Sequence, residues 1–116
     1  MHEASIAKGI LETAAAALSR PEAKITQITV VAGVLAGVQR ESLELYFAEL
    51  SQGTVAQGAA LNLKHAPAKL VCTGCKSQTL YQNDGDLAVR CARCGGTNRL
   101  EGGNELYIES MEIEEP

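Results

Sequence analysis

A chain of 116 residues without an internal repeat has room for one compact domain, or one domain with a small satellite that would need a staple of its own. It is 46% apolar but only 3% aromatic, with one Phe, three Tyr and no Trp, so its core rests on Ala, Val, Leu and Ile. The formal charge of −4 is uneven: Lys69, Lys76, Arg90, Arg93 and Arg99 outnumber Asp84 and Asp86 in one stretch, while the remainder carries five basic and twelve acidic residues, a local excess too small to define a nucleic-acid site.

In chain order, residues 5–19 carry an apolar stripe at the helical period (Ile6, Ile10, Leu11, Ala14, Ala15, Leu18), with Ser5 placed to cap it and Pro21 to close it. The run 24–35 is rich in Ile, Val and Thr and predicts a strand. Gly33 and Gly37 loosen the chain after it. A second helix is expected from Glu41 to Leu50, with Leu43, Tyr46, Phe47 and Leu50 on one face and Gly53 suited to the left-handed cap beyond it. Residues 59–65 alternate as a half-buried strand until Pro67. The cysteine segment fills 70–99, and Glu101-Gly102-Gly103-Asn104 forms a flexible joint. A last strand spans 105–113. Its apolar residues change parity between Ile108 and Met111, which either a bulge near Glu109 or Ser110 or partial cover of both faces would reconcile.

This order predicts an α+β domain, a small sheet with two helices, into which a zinc-ribbon-like knuckle is inserted. Residues 1–67 together with 104–116 form the first part, and 68–103 the second. No stretch reaches the length of a membrane helix. The N-terminus lacks the basic leader and continuous apolar run of a secretory signal, so the expected compartment is the reducing cytoplasm, where cysteines favour metal over disulfides.

The cysteines read Cys72-Thr-Gly-Cys75, fifteen residues, then Cys91-Ala-Arg-Cys94. Two residues within each pair let both sulfurs meet one ion from a tight turn. Gly74, Gly95 and Gly96 let the backbone wrap and aim its N–H groups at sulfur. The spacer admits a short hairpin turning at Asn83-Asp84-Gly85. Four thiolates suit a closed, structural zinc site. A redox dithiol, two disulfides and a rubredoxin-type iron site are the rivals. Leu70, Val71, Leu80, Leu87 and Val89 supply only a thin apolar cover, so metal binding would hold the knuckle.

The chain opens Met1-His2-Glu3, which on the tripeptide alone reads first as a frayed, solvated terminus and second as a chelate. A free α-amine, the backbone nitrogen of His2 and its imidazole close a five- and a six-membered chelate ring around one ion. Those nitrogens can lie in a plane, which suits Ni(II) or Cu(II) rather than zinc. Glu3 could add a fourth donor through its backbone nitrogen or its carboxylate. His65 reads as a surface histidine at the end of a strand, or as a supplementary donor if its linker folds toward the N-terminus.

Met1-His2-Glu3, the two-helix plan, the two CxxC pairs and the closing Gly103-Asn104-Glu105-Leu106-Tyr107-Ile108 together resemble the HypA/HybF family over essentially the whole chain. The resemblance implies a nickel metallochaperone for maturation of nickel–iron hydrogenases. It implies nickel (Ni2+) as cargo at Met1, His2 and Glu3, and structural zinc (Zn2+) at Cys72, Cys75, Cys91 and Cys94. It also implies two partners, a HypB-type GTPase and the hydrogenase large-subunit precursor. No nucleophile or acid pair has an evident partner base, so a binder without turnover is expected. A zinc-ribbon nucleic-acid-binding or adaptor module is the alternative, opposed by the acidic chain and by Tyr81 being the only aromatic residue in the knuckle. The glycine joint would let two chains exchange their last strand as a homodimer.

Overall fold

The computed structural model describes residues 3–20, 22–81 and 90–115. Helix α1 (Glu3–Ala16) turns Ala7, Ile10 and Ala14 inward at the four–three spacing of a helix face, with Glu3 buried one turn earlier. Ser5 is not the cap that the sequence suggests. The helix already includes Glu3, which leaves Ser5 exposed within the first turn. Ala15 is exposed as well, and the helix ends three residues earlier than expected. At its last turn the Ala17 N–H is shared between Thr13 O (3.1 Å) and Ala14 O (3.2 Å), and the Leu18 N–H reaches only Ala15 O (3.3 Å), so the turn tightens. The approach to Pro21, a residue outside those described, disfavours helical backbone just before it.

Strand β1 (Lys24–Gly33) is buried at every position from Ile28 onward, as a strand covered on both faces must be. Helix α2 (Arg40–Leu50) buries Leu43 and Phe47, one turn apart, and packs against α1. Phe47 heads the largest fully buried side chains, whereas Tyr46 is half-buried and Leu50, at the helix end, is 40% exposed. Gly53 takes the expected left-handed conformation (φ +77°) and donates its N–H to Gln57 Oε1 at 2.9 Å. In strand β2 (Ala60–Ala66), buried Leu63 and half-buried Leu61 alternate with exposed Asn62 and Lys64, and Pro67 ends the run. Strands β3 (Ala68–Cys72), β4 (Gln78–Tyr81) and β5 (Asn98–Glu101) follow, and β6 (Leu106–Glu114) closes the chain. The half-buried residues of β6 are Ile108 and Met111, of opposite parity, so each face of the strand is partly covered along its length.

One three-stranded sheet has the order β2-β1-β6, so the last strand completes a sheet begun by the first; the other has the order β4-β3-β5. In the second, β3 pairs antiparallel with both neighbours, Lys69 facing Leu80 on one side and Glu101 on the other.

The chain divides into two compact units. One comprises Met1–Val31, Val38–Lys64 and Tyr107–Pro116, and so holds both helices. An Arg40 guanidinium N–H there binds Leu63 O at 2.9 Å, and the exposed Lys64–Glu109 pair spans 2.9 Å. The other unit comprises Ala32–Gly37 and His65–Leu106. Within it the glycines expected to loosen the chain act oppositely. Gly33 N–H donates to Glu105 O, and Leu35 N–H to Gly103 O, both at 2.7 Å. A Cβ on Gly33 would collide with the carbonyl group of Gly103 and come within 2.6 Å of Glu105 Oε1. Gly103, buried at φ +90°, donates its N–H to that same carboxylate at 2.9 Å. The expected flexible joint is therefore a hydrogen-bonded crossing of two backbones.

Candidate metal centre

The centre is built from two short loops of one design. Strand β3 delivers Cys72, and the chain turns through Thr73–Ser77 into β4. Cys72 N–H donates to Ser77 O (3.0 Å), and Lys76 N–H to Cys72 O (3.2 Å). Nineteen positions later the pattern returns: Cys91 N–H donates to Gly96 O (2.7 Å), and Gly95 N–H to Cys91 O (2.9 Å). Each loop needs one left-handed residue. Gly95 supplies it at φ +77°, and Lys76 supplies it at φ +66° despite its side chain. The loops are joined where Cys72 pairs with Asn98 in the β3–β5 register and Thr73 N–H donates to Thr97 O at 2.9 Å.

The result brings the four predicted cysteines together, their sulfurs all within 4.8 Å of one another. Cys72 and Cys94 Sγ are 3.4 Å apart, and Cys75 and Cys91 Sγ 3.7 Å. A disulfide requires about 2.05 Å, and all four cysteines are free. Four sulfurs at about 2.3 Å from a tetrahedral zinc would lie about 3.8 Å apart. The residues therefore fit a zinc-type four-thiolate centre, with Cys72 and Cys91 buried and Cys75 and Cys94 exposed.

Backbone N–H groups point at the sulfurs, as the glycine placement predicts: Gly74 and Cys75 at Cys72 Sγ (3.3 and 3.4 Å), Arg93 at Cys91 Sγ (3.3 Å), and Gly96 at Cys94 Sγ (3.4 Å). The Ser77 hydroxyl lies 3.2 Å from Cys75 Sγ and 3.3 Å from Cys91 Sγ. Without a cation the thiols separate in acidity. The Ser77 hydroxyl, helped by the Cys94 and Arg93 N–H groups, draws Cys91 down to about 6, and Ser77 likewise lowers Cys75. The Gly96 N–H favours the Cys94 thiolate, but the neighbouring sulfurs of Cys72, Cys75 and Cys91, with the partial loss of water around them, outweigh it and raise Cys94 to about 11. Four thiolates this close cannot all ionise unless a cation sits among them.

Leu70 and Val71 form the expected apolar cover, while Leu80 does not. On β4 it pairs with Lys69 of β3 and is 60% exposed. Leu87, Val89 and the Asn83-Asp84-Gly85 turn lie outside the described residues, as do Met1 and His2. Glu3 is described and buried, and its carboxylate accepts the N–H of Gln39, the residue that opens α2, at 3.4 Å. His65 is exposed in β2. Ser77 was not singled out in the sequence. Aligning the two Cys-x-x-Cys loops would have found it, since it occupies the position that Gly96 holds in the second. Among the described residues no helix is long and apolar enough to cross a membrane.

Residues 1–113 match the family model described as HypA, hydrogenase/urease nickel incorporation, metallochaperone. A hydrogenase maturation factor HypA of Caldanaerobacter subterraneus subsp. tengcongensis is 38% identical over 98% of this chain and 100% of its own length. One of Dehalococcoides mccartyi is 39% identical over 99% of this chain and 96% of its own. The solution structure of the Ni metallochaperone HypA from Helicobacter pylori covers all of both chains with a TM-score of 0.64 at 19% identity, a likeness of fold. This chain belongs to the HypA family of hydrogenase and urease nickel-incorporation metallochaperones.

Proposed function

We propose that this protein carries Ni(II) at its N-terminus and hands it on for maturation of a nickel–iron hydrogenase, turning over no substrate. The donors are the α-amine of Met1, the backbone nitrogen and imidazole of His2, and the backbone nitrogen of Glu3. The family match over residues 1–113 carries this reading, and the opening Met-His-Glu supplies the chelate. Glu3 refines it: its buried carboxylate already accepts the Gln39 N–H, which favours its main-chain nitrogen as the fourth donor.

Residues 1–67 with 104–116 make up the nickel-binding part, and 68–103 the zinc-binding part. Cys72, Cys75, Cys91 and Cys94 hold zinc as a structural ion. A closed four-thiolate set leaves no position for substrate, so zinc supplies folding energy rather than chemistry. The partners are a HypB-type GTPase and the hydrogenase large-subunit precursor, met in the cytoplasm. Lys76 and Arg93, exposed in the cysteine loops, offer charge to an acidic partner surface.

Ni(II) calorimetry on zinc-loaded protein tests the terminal site. The native N-terminus should bind one nickel, and the same protein extended by Gly-Ser before Met1 should bind none. Equal binding by both forms would exclude the free amine as a donor.

A further inference from the structure

The two cysteine loops share a backbone hydrogen-bond pattern and differ in the residue that closes each beside the sulfurs. Superposing their patterns sets Cys72 on Cys91, Cys75 on Cys94, Lys76 on Gly95 and Ser77 on Gly96. On one side the Ser77 hydroxyl touches Cys75 Sγ of its own loop at 3.2 Å and Cys91 Sγ of the other at 3.3 Å. On the other side the matching position has no side chain. A Cβ on Gly96 would lie 3.3 Å from Cys94 Sγ of its own loop and 3.2 Å from Cys72 Sγ of the other. The same outer niche therefore exists twice, filled by a donor once and left to glycine once.

The donors on each sulfur differ accordingly. Cys91 receives the Ser77 hydroxyl and the Arg93 and Cys94 N–H groups. Cys75 receives the hydroxyl and the N–H of Ser77. Cys72 receives two N–H groups, from Gly74 and Cys75. Cys94, which is exposed, receives the Gly96 N–H alone among the described residues. Four thiolates around a divalent ion leave two net negative charges, which donated hydrogens disperse. A sulfur with fewer donors keeps more charge and meets protons and electrophiles more readily.

We propose that Ser77 is a positioning residue of the metal centre: its hydroxyl, shared between Cys75 and Cys91, makes those two the retained ligands and leaves Cys94 as the first to let go. Once a metal occupies the centre both sulfurs are acceptors only, so the hydroxyl proton is donated to them and Ser77 has a fixed role. The proposal rests on the reading of the four cysteines as a zinc centre. It goes beyond that reading by giving the centre a firm side and a labile side.

The experiment uses full-length, zinc-loaded protein and a chromophoric chelator at constant pH. Ser77→Ala should release zinc about tenfold faster than wild type, the lower end of what loss of a hydrogen bond to a metal ligand costs. Ser77→Thr, which keeps the hydroxyl, should restore the slow rate. Ser77→Gly reproduces the residue that the second loop already tolerates, and should behave as the Ala variant should Ala fold poorly. In cobalt-substituted protein the thiolate-to-metal absorption should move to lower energy in the Ala and Gly variants, a shift that a merely structural role would not produce. Partial alkylation of the zinc form should label Cys94 first. Wild-type release rates in both the Ala and Gly variants, or a Thr variant as fast as Ala, would overturn the proposal. Wild-type protein that holds no zinc or cobalt at all would instead overturn the metal-centre reading beneath it.

Discussion

Lys76 shows how the metal centre constrains single residues. Its φ of +66° is the only positive value among the described residues other than glycine, and the matching position in the second loop is Gly95. The left-handed conformation costs a side-chain-bearing residue about 1 kcal/mol or more. Lys76→Gly should therefore raise the stability of the zinc-loaded protein by about 1 kcal/mol, read as a higher denaturant midpoint at unchanged slope. The clustering of the four cysteines was legible, because Cys-x-x-Cys is a local geometric statement. The residues around them were not. Comparing the two loops singles out Ser77, but the spacing does not say that its hydroxyl reaches the Cys91 sulfur fourteen positions on, or that a lysine takes a glycine conformation. Glu3 was legible only as a neighbour of His2; its burial follows from standing one helical turn before Ala7, in a helix that starts two residues before Ser5.

At the scale of elements, periodicity located both helices and the strands on either side of them. It failed at helix ends and at glycines. The end of α1 is decided by hydrogen bonds that shorten the last turn rather than by apolar spacing. Gly33 and Gly103 read as slack in the sequence because a glycine that permits motion and one that permits contact look alike. In the fold they are a contact, two main chains crossing with no room for a methyl group. Gly33→Ala should destabilise the protein by about 3 kcal/mol, since the obstacle is a backbone carbonyl that cannot rotate away. Thermal unfolding of the zinc-loaded variant is the measurement, and an unchanged midpoint would mean that the crossing is looser than it looks. The three short strands β3, β4 and β5 had no periodic signal of their own. They run for four or five residues each and are ordered by one another and by the cysteines they carry.

At the scale of the whole molecule, the two units depend on different forces. The unit with both helices has an apolar core that includes Phe47, Leu43, Ile25, Ile28 and Leu63. Among the described residues the buried apolar side chains of the other are few, chiefly Ala32, Ala68, Leu70 and Val71, so its folding is expected to lean on a metal at the cysteines. Removal of zinc should leave the helical circular dichroism nearly intact while amide protection vanishes across β3–β5. Acid should act the same way, with a definite sign. Metal binding requires thiolates, so it releases whatever protons the metal-free thiols hold. Cys94, at about 11, holds one at neutral pH, and Cys91, at about 6, does not. Zinc affinity should fall about tenfold per pH unit for each proton released. It should fall more steeply below about pH 6, where Cys91 also takes up a proton. A zinc affinity independent of pH over this range would contradict the thiolate set.

The backbone crossing at Gly33 and Gly103 has a consequence for how the protein is made. Gly103–Glu105 closes the unit that holds the cysteines, and β6 directly after it closes the other sheet. Neither unit is finished until residues 103–114 have left the ribosome, whereas all four cysteines have been synthesised by position 94. A growing chain thus presents a complete set of thiols on an unfinished scaffold, and capture of zinc at that stage would bring the cysteine loops together ahead of the strand that seals them.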